Sequence, residues 1–227
     1  MRQLWRDPKL RAVMAASVTL GFAVGVFAIS FGVAAVSAGA SVAQACAMSL
    51  LIFTGASQFS AVSVISSGGS PLAAFGGAAV LAARNGVYGL AMAPHLTGRL
   101  GTRMVAAQIT IDESTAMAAA QDDQVHRRAA FWITGTSVYV FWNLGTLAGA
   151  LLGTSIDPKT YGLDAAVPAA FVAILFPLLR RRVSALAAIT GAVVCLVLIP
   201  LVPVGVPILC ATVGVLFGLP EPKGVAE

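Results

Sequence analysis

Long apolar runs broken by short polar punctuation dominate this chain. The runs are Val13–Val36, Val42–Ser66, Pro71–Ala93, Met104–Ala120, Ala129–Leu152, Ala165–Leu179, Val183–Ile199 and Leu201–Leu219. A helix needs roughly 20 apolar residues to cross the hydrocarbon core of a bilayer. The pattern therefore predicts an all-α, polytopic integral membrane protein with seven or eight hydrophobic segments, residues 1–227 forming one transmembrane domain. Barrel strands are excluded, because the runs are far longer than a strand and lack period-two alternation.

Composition agrees. Of 227 residues, 58% are hydrophobic and only 10% are charged, with a mean hydropathy of +0.90. A soluble domain needs a largely polar exterior and cannot hide this much apolar surface. The net charge of +5 comes from basic residues at segment ends: Arg2, Arg6, Lys9 and Arg11, then Arg180, Arg181 and Arg182. This is the positive-inside pattern, and it places the N-terminus in the cytoplasm. No basic face interleaved with aromatics is visible, so nucleic acid is not an expected partner. Cys46, Cys195 and Cys210 all fall in apolar runs, and their odd number and spacing suit neither a disulfide framework nor a metal site. The basic start followed by an apolar run, with small residues at Ala38-Gly-Ala40, has the outline of a signal peptide. The run is too long for one and is expected to be a retained first span.

Charge placement leaves two topologies. Eight full crossings put Arg180–Arg182 inside and the stretch Ser155–Asp164 outside, but place the loop His95–Arg103, with Arg99 and Arg103, outside as well. If Val42–Ser66 and Met104–Ala120 instead dip in and return, that loop lies inside. Both segments hold suitable interruptions, at Gly55-Ala-Ser-Gln58 and at Thr110–Thr115, and broken helices at membrane depth are tolerated where they line a cavity. A weak internal repeat pairs Phe59-Ser-Ala-Val with Phe171-Val-Ala-Ile. Gly21 with Gly25, and Gly145, Gly149 and Gly153, mark faces where two helix backbones can approach. Packing within the chain is the first reading of these faces, and docking of a separate membrane subunit the second.

Polar residues inside apolar runs are the candidate chemistry. Gly55, Ser57 and Gln58 would form an unwound turn able to hold an amino group or a carboxylate, or else bridge neighbouring helices. Arg84, Asn85 and Tyr88 share one helical face. Arg84 either binds a substrate carboxylate bidentately, neutralises Asp112 or Glu113, or snorkels. A carboxylate within hydrocarbon costs several kcal/mol unless protonated, paired or wetted, so Asp112 and Glu113 are expected to meet a substrate ammonium or a coupling proton, or, if their segment lies at the interface, to be solvated. Asp112 is expected in the buried role, with Gln108 and Thr115 on its face. Trp142 and Asn143 lie mid-segment and would line a cavity or fill a core. Asp164 is expected to open a helix, where it caps free N–H groups or meets substrate, and Pro168 follows. His95 and His126 are expected in loops, which argues against a histidine metal site. The soluble-enzyme signatures G-x-S-x-G, H-E-x-x-H and the P-loop are absent from the sequence, so neither an enzyme nor a cofactor is expected.

Four runs in order carry a resemblance: Phe53-Thr-Gly-Ala-Ser-Gln-Phe59, Arg84-Asn-Gly-Val-Tyr88, Ile111-Asp-Glu-Ser-Thr115, and Tyr161-Gly-Leu-Asp-Ala-Ala-Val-Pro-Ala-Ala-Phe171 with Trp142 before it. Together they resemble the AzlC-type large subunit of branched-chain amino acid exporters, over about residues 20 to 180. The resemblance implies proton-driven export of branched-chain and related neutral amino acids across the cytoplasmic membrane. It also implies a small, separately encoded AzlD-type membrane subunit. Many members carry an Asn-x-Arg-His-like run in the third segment. Here Arg84 precedes Asn85 without the His, so no role of that His carries over. On residues alone, a channel or ion carrier and a non-transporting scaffold stay open beside a carrier.

Overall fold

The computed structural model describes residues 7–155, 182–204 and 206–218, together with 172, 176, 179 and 180. The expected segment Ala165–Leu179, the cap Asp164, Pro168 and the repeat partner at Phe171 lie outside or almost wholly outside these residues. The described residues are helical, with no strand among them. Helix α1 spans Pro8–Ser37, α2 Val42–Ile52, α3 Ala56–Ser66, α4 Pro71–Met92, α5 Leu100–Gln108, α6 Asp112–Ala119 and α7 Gln124–Ser155. After these come α8 at Arg182–Leu198 and α9 at Val206–Ala211, which runs into a 3-10 turn at Thr212–Gly218. Where Leu201–Leu219 was expected to be a full segment, two short elements stand. By length and composition, α1 alone among the described helices suffices to cross a membrane. At about 1.5 Å per residue, the 22 residues of α4 and the 32 of α7 have the length, but polar residues dilute them.

Local chemistry sets the boundaries. Asp7 accepts from the Lys9 N–H at 2.8 Å, with Pro8 opening α1. Ser41 and Gln44 form a reciprocal capping box on α2: the Gln44 N–H donates to Ser41 Oγ at 3.2 Å, and the Ser41 N–H donates to Gln44 Oε1 at 2.8 Å. Ser70 caps α4 ahead of Pro71. Asp123 accepts from the N–H groups of Val125 and His126 at the start of α7.

The frame of the molecule is α1 laid parallel to α7. Ser17 and Thr134 share a buried hydroxyl hydrogen bond at 2.8 Å. Farther up, Gly25 faces Phe141 and Gly145, Gly149 faces the Ile29 carbonyl, and Gly153 faces Val33. A methyl group on Gly145 or Gly149 would collide with backbone oxygen of α1. The glycine faces therefore serve packing inside the chain, and they are covered by it.

Hydrogen bonds then locate the turns at the N-terminal end and at mid-height. The start of α7 lies beside the start of α1 through His126 Nε2 and Asp7 at 2.8 Å, and through Lys9 and Asp122 at 3.3 Å. The end of α4 reaches the same place, where His95 Nδ1 meets Gln124 at 2.8 Å and Arg128 donates to the Thr97 carbonyl at 3.0 Å. Thus α4 runs opposite to α1 and α7. Between them, α2 descends only to mid-height, where the Leu50 carbonyl accepts from Tyr139 at 3.1 Å. The chain turns at Phe53–Gly55, and α3 climbs back past Phe27 and Phe31. From the other end α5 rises to the same level, where Gln108 Nε2 donates to the Leu50 carbonyl at 2.9 Å. It turns at 109–111, and α6 falls back until Asp122 meets Lys9. Both interrupted segments turn back, and the arrangement with His95–Arg103 beside the N-terminus is the one observed.

Charge follows this geometry. Lys9, Arg11, Arg99, Arg103, Arg127 and Arg128 gather at one end, whereas the opposite turns, Ala38–Ser41 and Ser67–Ser70, carry no charge. His126 sits in the first turn of α7 rather than in a loop, bridging Asp7 and Asp123 at 2.8 and 2.7 Å. Hydrogen bonds to those two carboxylates raise its pKa above the ordinary 6.5. The ring's bond lowers Asp7 below 3.8, and the His126 backbone N–H, with the ring after it, does the same for Asp123.

Two outcomes follow. In membrane vesicles lacking the native cysteines, Thr102→Cys reacts with an impermeant reagent from the side of the N-terminus and Ser67→Cys from the other. Same-side labelling would contradict the turn-back geometry. The His126 cluster also gives stability a pH window. Its histidine contribution is complete below about pH 6.5 and is lost as pH rises through the raised value in the folded protein. Its carboxylate contribution is complete above about pH 4 and is lost as pH falls through the lowered values. His126→Gln is expected to flatten the high-pH limb in melting curves of detergent-solubilised protein.

Candidate functional site

The two turns meet in the middle of the molecule. Around them lies a cavity of about 370 Å³, within the range of about 300–1,000 Å³ usual for small-molecule sites. Its polar side consists of Thr54, Gly55, Arg84, Asp112 and Glu113, and its apolar wall is built by Val24 and Phe27 of α1 with Val138 and Trp142 of α7.

The turn before α3 exists because of its residues. Phe53 adopts φ 32° and Gly55 φ 57° with ψ −86°, and the second of these conformations is one glycine reaches without a Cβ penalty. Gln58 folds back so that its Oε1 accepts from the Gly55 N–H at 3.2 Å. Ser57 is hydrogen-bonded to Thr54 by hydroxyl. The helical ladder of α3 starts only with the Phe59 N–H on the Gly55 carbonyl at 3.1 Å. The N–H groups of Ala56, Ser57 and Gln58 precede it, and no side chain caps them. Gln58 itself is fully buried, and its Nε2 has no partner.

The second turn is held by Ser114. Its Oγ accepts from the Ile111 N–H at 3.0 Å and donates to the Ile109 carbonyl at 2.7 Å. Asp112 and Glu113 therefore occupy the first turn of α6, where carboxylates are favoured by the free N–H groups and the helix dipole. Because the chain turns at 109–111, Gln108 belongs to α5 and shares no helical face with Asp112. That part of the sequence expectation is corrected. Gln108 binds the Leu50 and Leu51 carbonyls instead. Nor is Asp112 fully buried: its side chain is 42% exposed and Arg84's 38%.

Arg84 donates from Nη1 to Asp112 at 2.7 Å. Of the readings open in the sequence, this pair is the one present. Glu113 also lines the cavity, which it shares with Arg84, and among the described residues it forms no salt bridge. Asn85 and Tyr88 are half-buried on the Arg84 side of α4, and the Asn85 Oδ1 has no partner. Trp142 is 3% exposed, stacks on Phe31 at 6.1 Å and leaves its indole N–H without a partner. Asn143, by contrast, donates to the Tyr139 carbonyl of its own helix at 2.8 Å and is not part of the cavity wall.

Sequence reasoning missed Val24, Phe27 and Val138. An apolar side chain in an apolar helix gives no sign that it faces a hollow rather than lipid. The Arg84–Asp112 contact predicts measurable coupling. Arg84→Gln and Asp112→Asn each lower the melting temperature, and the double variant loses less than their sum. A coupling of about 1 kcal/mol is expected for a pair this exposed.

The sequence pattern of the family described as "AzlC protein" matches residues 19–156. That stretch runs from α1 to the end of α7 and holds every cavity residue named above. Curated proteins offer no match, and neither do solved structures. With more than half of the chain matched, on the helices that frame the cavity, this protein belongs to the AzlC family.

Proposed function

We propose that this protein is a secondary transporter that exports branched-chain and related neutral amino acids across the cytoplasmic membrane. It works with a small AzlD-type membrane subunit and is driven by the proton gradient. The observation that carries this reading is the cavity, which pairs an aromatic and aliphatic wall with a charged rim at mid-height between two turned-back segments. A neutral amino acid needs both surfaces: apolar contact for its side chain and ionic partners for its zwitterion. Half-helices whose ends point at a central site are a recurring device of transporters.

The charge pattern supports a polytopic placement with the N-terminus in the cytoplasm. All six cations named above lie at one end, as the positive-inside bias requires. Glu113 supports coupling. Of the two cavity acids it is the one in no salt bridge among the described residues, so a substrate ammonium and a proton compete for one carboxylate. Competition of this kind exchanges substrate leaving for a proton entering.

Proteoliposomes containing the chain and its small partner, loaded with labelled L-leucine, are expected to show saturable, stereoselective efflux that accelerates when the outside is acidified. Glu113→Gln is expected to abolish the acceleration. No efflux from the wild-type complex, or efflux linear in concentration and blind to stereochemistry, would overturn the carrier reading.

A further inference from the structure

A second cavity, of about 330 Å³, lies away from the central one, between the end of α4 and α5. Gly89 of α4, with Ala93 and Leu96 just beyond that helix, forms one wall, and Leu100, Met104 and Ala107 of α5 form much of the other. A Cβ on Gly89 would meet no atom within 4 Å, so this wall faces open space. The corner joining the two walls is held to α7 by the His95–Gln124 and Arg128–Thr97 hydrogen bonds.

Polarity runs along the cleft in one direction. Arg103 lines it near the end where the N-terminus lies, and Arg99 stands one turn earlier, just ahead of α5. At the deep end stands Thr110, whose hydroxyl is spent on the Ala106 carbonyl at 2.7 Å. Everything between is apolar. The nine residues of α5 rise about 13 Å, against about 15 Å for half the hydrocarbon core of a bilayer. Neither Arg99 nor Arg103 forms a salt bridge among the described residues. The acids described stand elsewhere: Asp112 and Glu113 at the central cavity, and Asp7, Asp122 and Asp123 around His126 and Lys9.

We propose that the cleft between α4 and α5 is a binding site for one acidic phospholipid, its headgroup on Arg103 and Arg99 and an acyl chain lying along Gly89, Ala93, Leu96 and Met104. A phospholipid has the same gradient as the cleft, one anion above a long apolar chain, and basic pockets between membrane helices take such headgroups. A soluble phosphate would use the arginines and leave the apolar walls wet. A partner helix packed here would have to bring its own acid to the level of Arg103. The site rests on the placement of the N-terminal end of the molecule at a membrane surface, and not on what the central cavity carries.

Native mass spectrometry of the full chain in detergent, alone and with its small subunit, reads the site directly. Equal amounts of phosphatidylglycerol and phosphatidylcholine with the same oleoyl chains are offered. The two share a phosphate, but choline cancels its charge. The wild type is expected to retain one phosphatidylglycerol about tenfold over phosphatidylcholine. Arg103→Gln is expected to lower that preference about fivefold, whereas Arg127→Gln, at the same end but bonded to the Gln121 carbonyl, leaves it unchanged. Gly89→Leu fills the cleft without a clash, and is expected to cut retention of both lipids several-fold while keeping the melting temperature. Equal retention of the two lipids by the wild type overturns the site, as does an equal loss in Arg103→Gln and Arg127→Gln, or full retention in Gly89→Leu. Displacement of the lipid by 10 mM inorganic phosphate, or by the small subunit, would show another occupant and also overturn it. If the lipid is held as expected while leucine efflux is absent, the lipid site stands and the transporter reading falls.

Discussion

Close backbone contact between α1 and α7 is the constraint on which the rest depends. Two parallel helices cannot be joined by a short turn, so the chain between them must travel back the length of the molecule. It does so once, in α4, because the His95–Gln124 hydrogen bond and the one from Arg128 to the Thr97 carbonyl bind the end of α4 to the start of α7. The remaining chain, α2 with α3 and α5 with α6, has no full-length path left and is folded into two short returns. Glycine at 25, 145 and 149 permits the approach that sets this up. Small residues do this work in membrane helices because packing, rather than hydrophobic exclusion, holds them together.

Turning back in mid-structure has a physical cost, since each broken helix exposes backbone groups that must find partners. At the second turn Ser114 takes up the Ile111 N–H and the Ile109 carbonyl. At the first turn, Gln58 and the Ser57–Thr54 contact satisfy some and leave donors over. The carbonyl ends of α2 are met by Gln108 and Tyr139, which also lock the two returns together. A cavity lies at the meeting point, with Arg84, Asp112 and Glu113 in its wall. The aromatic cluster of Phe27, Phe31, Phe59 and Trp142 keeps that place walled by rigid surfaces.

Much of the site was legible because its residues break a strong background rule. Arg84, Asp112, Glu113 and Gln58 stand out in apolar runs, and each of those runs reaches the central region. Their pairing was not legible. Arg84 is 28 positions from Asp112, and no periodicity says which acid it will meet. Asn143 shows the limit in the other direction: it stands out as much as Trp142, yet one helical step turns it onto its own backbone.

By itself, the sequence determined the helical class, both ends of α4, the C-terminal end of α1, and the two weak points at Gly55 and Thr110. Apolar run length, capping residues and glycine are local signals, and local physics decides them. Only the tertiary structure decided that both weak segments turn back, that the glycine faces are used within the chain, and that Arg84 is matched by Asp112 while Glu113 is not. These are choices among distant partners, where many pairings have similar local cost. Packing of α1 on α7 selects one of them by removing the room for the others.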